Sequence, residues 1–194
     1  MQREGVAVKR DIRRQLEESA KLKRLVADTM VGEIELAAKA LIACYARGGK
    51  VVLCGNGGSA GDAQHLAGEF VGRFLRERRA VPAIALTTDT SILTAIGNDY
   101  GFDQVFSRQA EAHVNEGDVF IGISTSGNSA NVLRALEVSK ARRATTIGLT
   151  GNDGGELARA ADIALTVPSS STPRIQECHI VIGHILCDMA ERSL

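Results

Sequence analysis

Two stretches far apart in the chain carry side chains that do chemistry: Gln64-His65-x-x-x-Glu69, and Arg174-Ile175-Gln176-Glu177-Cys178-His179 followed by His184. Together they offer imidazoles, a carboxylate and an amide, which suits either a small-molecule metal site or a proton-transferring pair. His65 and Glu69 are four residues apart, so on a helix they share one face. An exposed pair at that spacing would only stabilise its helix by roughly 0.2–0.5 kcal/mol. Against so bland a role, Leu66, Phe70 and Val71 mark the helix as substantially packed. His184 lies in the apolar run Ile180–Leu186, where a histidine satisfied inside the core is the commoner finding. Gln176 and His184 are eight residues apart, ~12 Å along one helix axis. They reach one point only by bracketing it with long side chains or by coming from different subunits, and spacing leaves both open.

Two segments rich in small hydrogen-bonding residues could hold a ligand beside those groups. Gly55-Asn56-Gly57-Gly58-Ser59-Ala60-Gly61-Asp62 follows an apolar run, and its glycines let backbone approach a ligand closely, with Ser59 placed to cap the next helix. Ser124-Thr125-Ser126-Gly127-Asn128-Ser129 follows another and also feeds a helix. Backbone N–H groups at a helix start, the helix dipole and four hydroxyls make a phosphate cradle that needs no lysine. Neither segment is a nucleotide signature: G-x-x-x-x-G-K-[ST] is absent, and the last glycine of G-x-G-x-x-G would fall on Ala60. Turns use the same residues. Two such loops at one sheet edge point to a phosphorylated small molecule.

The elements that must position these groups are legible in the hydrophobic pattern. Five short apolar runs, Val51–Cys54, Ala83–Leu86, Val119–Ser124, Thr145–Leu149 and Ile163–Val167, do not alternate with polar residues. They read as strands buried on both faces, as in a parallel sheet. Helical patterns lie at 7–27 and 32–47, the second stopped by Gly48-Gly49, and at about 59–75, 91–98, 103–114, 129–141, 153–160 and 173–192. The Arg76–Arg79 stretch reads as an exposed connection. This alternation predicts an α/β fold, a doubly wound five-stranded parallel sheet flanked by helices, in a single domain 1–194. Residues 1–48 are its N-terminal helices and 49–194 its α/β sandwich.

Composition narrows the function classes. The 194 residues balance 23 Lys and Arg against 23 Asp and Glu, which argues against nonspecific nucleic-acid binding. Trp is absent and aromatics are scarce, so there are no stacking platforms for bases. Cys44, Cys54, Cys178 and Cys187 show no C-x-x-C spacing and lie in apolar runs, as core thiols in a reducing compartment do. The first thirty residues are too charged for a signal peptide, and no apolar run approaches the ~20 residues that span a bilayer. A cytoplasmic protein that enters no membrane is expected.

The motifs named above, with Ala85-Leu86-Thr87-Thr88-Asp89 and Leu93-Thr94-Ala95-Ile96-Gly97-Asn98-Asp99, occur in an order that resembles the sugar isomerase (SIS) fold. Within it they resemble the sedoheptulose 7-phosphate isomerase family from about residue 30 onward. The resemblance implies substrate-binding roles for Asn56, Gly57, Gly58, Ser59, Glu69, Asn98, Asp99, Ser124, Thr125, Ser126, Ser129 and Gln176, with the phosphate on the four hydroxyl residues. It implies zinc, one per site, on His65, Glu69, Gln176 and His184, and an acid/base pair of Glu69 and His184. The implied reaction interconverts D-sedoheptulose 7-phosphate and D-glycero-D-manno-heptose 7-phosphate through an enediol(ate), toward nucleotide-activated heptose for lipopolysaccharide or related surface glycans. It further implies a homotetramer with active sites at subunit interfaces. Ligation by a dication lowers carboxylate basicity, so either Glu69 shifts off the metal during turnover or the metal mainly organises the site.

Other SIS-fold proteins are alternatives. An initiator-associating protein, a non-enzymatic regulator of replication initiation, lacks the carboxylate and histidine that Glu69 and His184 supply here. Sugar-phosphate sensors usually carry an added DNA-binding domain and arabinose 5-phosphate isomerases often carry regulatory domains, for which the chain has no room.

Overall fold

Every one of the five apolar runs forms a strand, and all pair in parallel. The computed structural model describes residues 2–194, with side chains from Ala7 onward. The strands are β1 (Val51–Gly55), β2 (Ala83–Ala85), β3 (Val119–Ile123), β4 (Thr145–Gly151) and β5 (Ile163–Val167). Their spatial order is β2-β1-β3-β4-β5. Val51 pairs with Val119 in one register, and Ile121 with Ile147 in the next. The central strands β1 and β3 are buried along their whole length, which is why they lack polar alternation.

Alternate residues of β1 feed two cores. Val51 and Leu53 face one side, with helices α1 (Gln2–Thr29), α2 (Val31–Ala46), α3 (Gly58–Val71) and α8 (Thr172–Glu191). Val52 and Cys54 face the other, with α5 (Ser107–His113), α6 (Ala130–Ala141) and α7 (Gly155–Ala160). The remaining helix is α4 (Thr90–Tyr100). Because α3 leaves β1 on one face and α6 leaves β3 on the other, the winding reverses between these neighbouring strands. Such a switch point opens a crevice at the carboxyl ends of the two strands, where ligands of open α/β sheets bind.

Four local expectations change, one of them the exposed connection at Arg76–Arg79, where the Arg78 side chain is withdrawn from solvent against Glu191. The helix expected over 59–75 stops at Val71, because Gly72 and the backbone beyond it turn away onto the end of α8. The helix expected over 103–114 divides into a 3-10 turn at Phe102–Gln104 and α5. Ser59 does not cap α3: Gly57, at φ 56°, precedes the helix, and Ser59 is buried in its first turn. Only a glycine adopts that backbone cheaply.

All four cysteines are buried free thiols, as their apolar surroundings require. Burial pushes the Cys44 thiol up to about 11 and Cys187 up to about 12, leaving both inert at neutral pH. Among the described residues no helix is long and apolar enough to cross a membrane.

Candidate active site

The loops after β1 and β3 meet at the switch point and enclose a cleft of about 310 Å³. Asn56, Gly57, Gly58 and Ser59 form one wall, Ser124, Thr125, Ser126 and Ser129 the other, and Gln176 of α8 closes an edge. Ser124 Oγ lies 2.9 Å from Ser129 Oγ and 3.4 Å from Ser126 Oγ, so three hydroxyls converge at the start of α6. Gln176 reaches the cleft because Gly58 has no side chain: a Cβ there would stand 2.5 Å from the Gln176 amide nitrogen. The second loop is braced from behind. Gly127, at φ 68°, lies so close to Gly154 that a Cβ would collide with its carbonyl oxygen, and the Leu157 N–H donates to Gly127 O at 2.8 Å.

Two turns further along α3 the other set of side chains meets. His65 Nε2 lies 2.9 Å from His184 Nε2 and 3.3 Å from Glu69 Oε1, so α3 and α8 bring together the two stretches singled out in the sequence. One donor atom from each of the three residues falls within 4.8 Å of the others, an arrangement that could hold a metal ion. The Phe74 ring stacks on the His184 imidazole with centroids 5.2 Å apart and planes 27° from parallel. His184 is therefore neither a free surface histidine nor a core one. It stands at the margin of the apolar face of α8 with its nitrogen directed at α3.

Not every expected residue joins these groups within the chain. Gln176 stands with the cleft, ~12 Å along α8 from His184. Asn98 and Asp99 are exposed near the end of α4 and bond each other, Asn98 Nδ2 donating to Asp99 Oδ1 at 2.7 Å. Two further buried side chains, neither assigned a role from the sequence, brace this region. Asn131, buried in α6, exchanges paired side-chain amide hydrogen bonds with Asn56 at 2.9 and 3.0 Å, fixing the first loop against the second. His179, fully buried, approaches Thr150 O at 2.9 Å and ties α8 to the carboxyl end of β4. Burial, opposed by that bond, depresses its pKa to about 4, so it stays neutral. Larger hollows exist, about 570 Å³ at the opposite edge of the sheet and about 500 Å³ beside α1. Neither borders the convergent hydroxyls or the His–Glu cluster, so volume alone would mislocate the chemistry.

Comparisons with known proteins place the chain in a family. The family model for the SIS domain matches residues 16–151. A phosphoheptose isomerase of Sulfurimonas denitrificans is 52% identical over 189 residues, 96% of this chain and 97% of the relative. The solved structure of a phosphoheptose isomerase from Neisseria gonorrhoeae superposes with a TM-score of 0.91 at 45% identity, covering 95% of this chain and 99% of that one. One from Francisella tularensis gives 0.90 at 42% identity, covering 94% and 97%.

Proposed function

The chain belongs to the SIS domain family and, within it, to the phosphoheptose isomerases, and we propose that it interconverts D-sedoheptulose 7-phosphate and D-glycero-D-manno-heptose 7-phosphate. This is the first step toward nucleotide-activated heptose for lipopolysaccharide or other surface glycans. What carries the reading is α3, which joins the two halves of the site. Its first turn floors the hydroxyl-lined cleft, and its later turns hold His65 and Glu69 against His184.

The phosphate is assigned to Ser124, Thr125, Ser126 and Ser129, where hydroxyls and the N-terminus of α6 favour an anion. Asn56, Gly57, Gly58, Ser59 and Gln176 line the sugar, with Asn98 and Asp99 in the outer part of the site. Moving a carbonyl from C2 to C1 requires one proton to leave C1 and one to arrive at C2, while O1 loses a proton and O2 gains one. Glu69 takes the carbon-bound proton to give the enediol(ate) and returns it to the neighbouring carbon, and His184 exchanges protons with the two oxygens.

The donor set fits one zinc ion per site. Ligands sharing a tetrahedral zinc through bonds of ~2.0–2.1 Å stand about 3.3 Å apart; His65 stands 2.9 and 3.3 Å from the other two, and the three donor atoms together fall within 4.8 Å. His65, Glu69 and His184 would hold the ion, with Glu69 either shifting off it to act as the base or the ion mainly organising the site; within one chain Gln176 serves the cleft, and a place on the metal would require it to come from a neighbour. When bound, zinc would polarise the substrate carbonyl and stabilise the enediolate oxygen. The protein works in the cytoplasm as a homotetramer with interfacial sites.

The test is incubation of purified protein with sedoheptulose 7-phosphate and no nucleotide, with the aldose product followed by NMR. Glu69→Gln, which keeps size but removes the base, is expected to lower turnover at least ~10²-fold. Failure of the zinc-loaded protein to convert this ketose, or near-normal turnover by Glu69→Gln, would overturn the mechanism. The same assay separates it from a non-enzymatic initiator-associating role.

A further inference from the structure

Glu191, at the last turn of α8, is seven residues and two helical turns beyond His184, so both lie on one face of the helix. Its side chain is almost fully buried and receives three consecutive backbone N–H groups. Phe74 N donates to Oε1 at 2.9 Å, and Leu75 N and Arg76 N donate to Oε2 at 2.8 and 2.9 Å. Arg78 Nε faces Oε1 at 3.3 Å, with both side chains withdrawn from solvent. Burial alone would raise the Glu191 pKa; the three N–H donors and Arg78 outweigh it and hold the carboxyl below its ordinary value. The rest of the Arg78 guanidinium turns to the end of α3, donating to Glu69 O at 2.8 Å and Gly72 O at 2.9 Å. Those are carbonyls that a helix terminus leaves without partners. The segment held in this way delivers the Phe74 ring onto the His184 imidazole.

From these contacts we propose that Glu191 is a positioning residue for the isomerase centre, acting through two arms. One arm is the backbone of residues 74–76, which seats Phe74 on His184 and fixes the tilt of the imidazole toward His65 and Glu69. The other is Arg78, which anchors the turn of α3 that carries Glu69. Neither Glu191 nor Phe74 lines the hydroxyl cleft. Both set where the three reacting and ligating side chains stand, and a carboxylate ionised among backbone donors makes that anchor rigid. The proposal rests on the isomerase reading only for its kinetic arm.

The experiment compares wild type with Phe74→Leu, Phe74→Tyr and Glu191→Gln. Melting temperature, Zn²⁺ affinity from chelator competition with the metal alone, kcat and KM, and the His184 ring-proton signals of the metal-free protein are measured. Phe74→Leu removes the ring while remaining apolar, and is expected to weaken Zn²⁺ binding and lower kcat by ~10–100-fold, the usual effect of losing a group that orients a ligand. KM stays within about twofold of wild type, because the hydroxyl cleft is untouched. Phe74→Tyr keeps the stack and should restore both values. Glu191→Gln presents an amide N–H₂ to backbone donors, so it should shift the His184 signals as Phe74→Leu does. A folded Phe74→Leu protein with wild-type Zn²⁺ affinity and kcat would overturn the proposal, as would unchanged His184 signals in folded Glu191→Gln. Should Glu191→Gln fail to fold, Phe74→Leu decides alone. Absence of turnover in wild type itself would count against the isomerase reading, while the NMR comparison would still judge the positioning role.

Discussion

Ser124, just past β3, and His179 of α8, packed on the end of β4, are both buried polar residues, yet one faces the cleft and the other faces only protein. Ser124→Ala removes one member of the converging hydroxyl set, and is expected to weaken binding of the proposed phosphate by about 1.5–3 kcal/mol, the range for a hydrogen bond to a charged group. The check is a rise in KM with kcat little changed. His179 answers to pH instead. Its folded pKa of about 4 lies below the ordinary 6.5, so the unfolded chain binds a proton more readily. The stability it contributes is therefore complete above pH 6.5 and is lost as pH falls from there toward about 4, up to about 3 kcal/mol. The paired carboxylates act lower, below their ordinary value of 4.5, as Glu191 illustrates. Urea midpoints at pH 7 and pH 5 should differ in wild type, and His179→Gln should flatten that difference; an equal slope would reject the assignment. Spacing put His65 and Glu69 on one helix face, whereas the resemblance to a family, not spacing, implied that His184 joins them, since it lies 119 residues from His65. Asn131 and Glu191 were not legible, because what gives each its role is a partner 75 or more residues away.

At the scale of elements, hydrophobic pattern found all five strands; burial on both faces forbids polar alternation in β1 and β3, and the partly buried edge strands β2 and β5 are mostly apolar too. Strand order was beyond it, since parallel pairing is a non-local choice that local periodicity does not encode. The overrun of α3 has the same origin. Phe74 and Leu75 continue an apolar pattern, but their backbone N–H groups turn to Glu191 from another helix, and tertiary partners outweigh propensity. Arg78 corrects the picture of an exposed connection for the same reason: its neighbours Arg76 and Arg79 are in solvent, whereas it is buried against Glu191. Where a loop is braced by another loop, a glycine is the element's weak point. Gly127→Ala sets a side chain at a positive φ and against Gly154, so it should cost about 1–3 kcal/mol from backbone strain alone. That corresponds to a fall of several degrees in Tm for a chain of this size, with a raised KM because the displaced loop carries the hydroxyls proposed to hold the phosphate. Gly61→Ala is the control, since nothing lies within 4 Å of a Cβ there. Equal melting temperatures for the two variants would contradict the bracing.

At the scale of the whole molecule, α1 is more apolar than its place in one chain explains. Ser19, Leu22 and Val26 reach the core, but Val8, Ile12 and Leu16, four apart and so near one face, are 58%, 55% and 67% exposed. Val181 and Ile185 are also at the surface of α8, flanking His184, and Leu36 of α2 is 57% exposed. An apolar stripe along an outlying helix, together with apolar residues beside His184, is the pattern of a contact surface in a symmetric assembly. Burying Val8, Ile12 and Leu16 would stabilise association by about 1.5–3 kcal/mol for each side chain fully covered. Light scattering during size exclusion is expected to give four times the 20.6 kDa chain mass. Replacing Ile12 and Leu16 together by Glu places charges on that stripe without touching the sheet, and should yield smaller species that keep their secondary structure. Because the sites are taken to lie between chains, turnover should fall with the loss of assembly and recover as concentration restores it. A monomer that stays fully active at every concentration would refute shared sites, whatever the fit of His65, Glu69 and His184 within one chain.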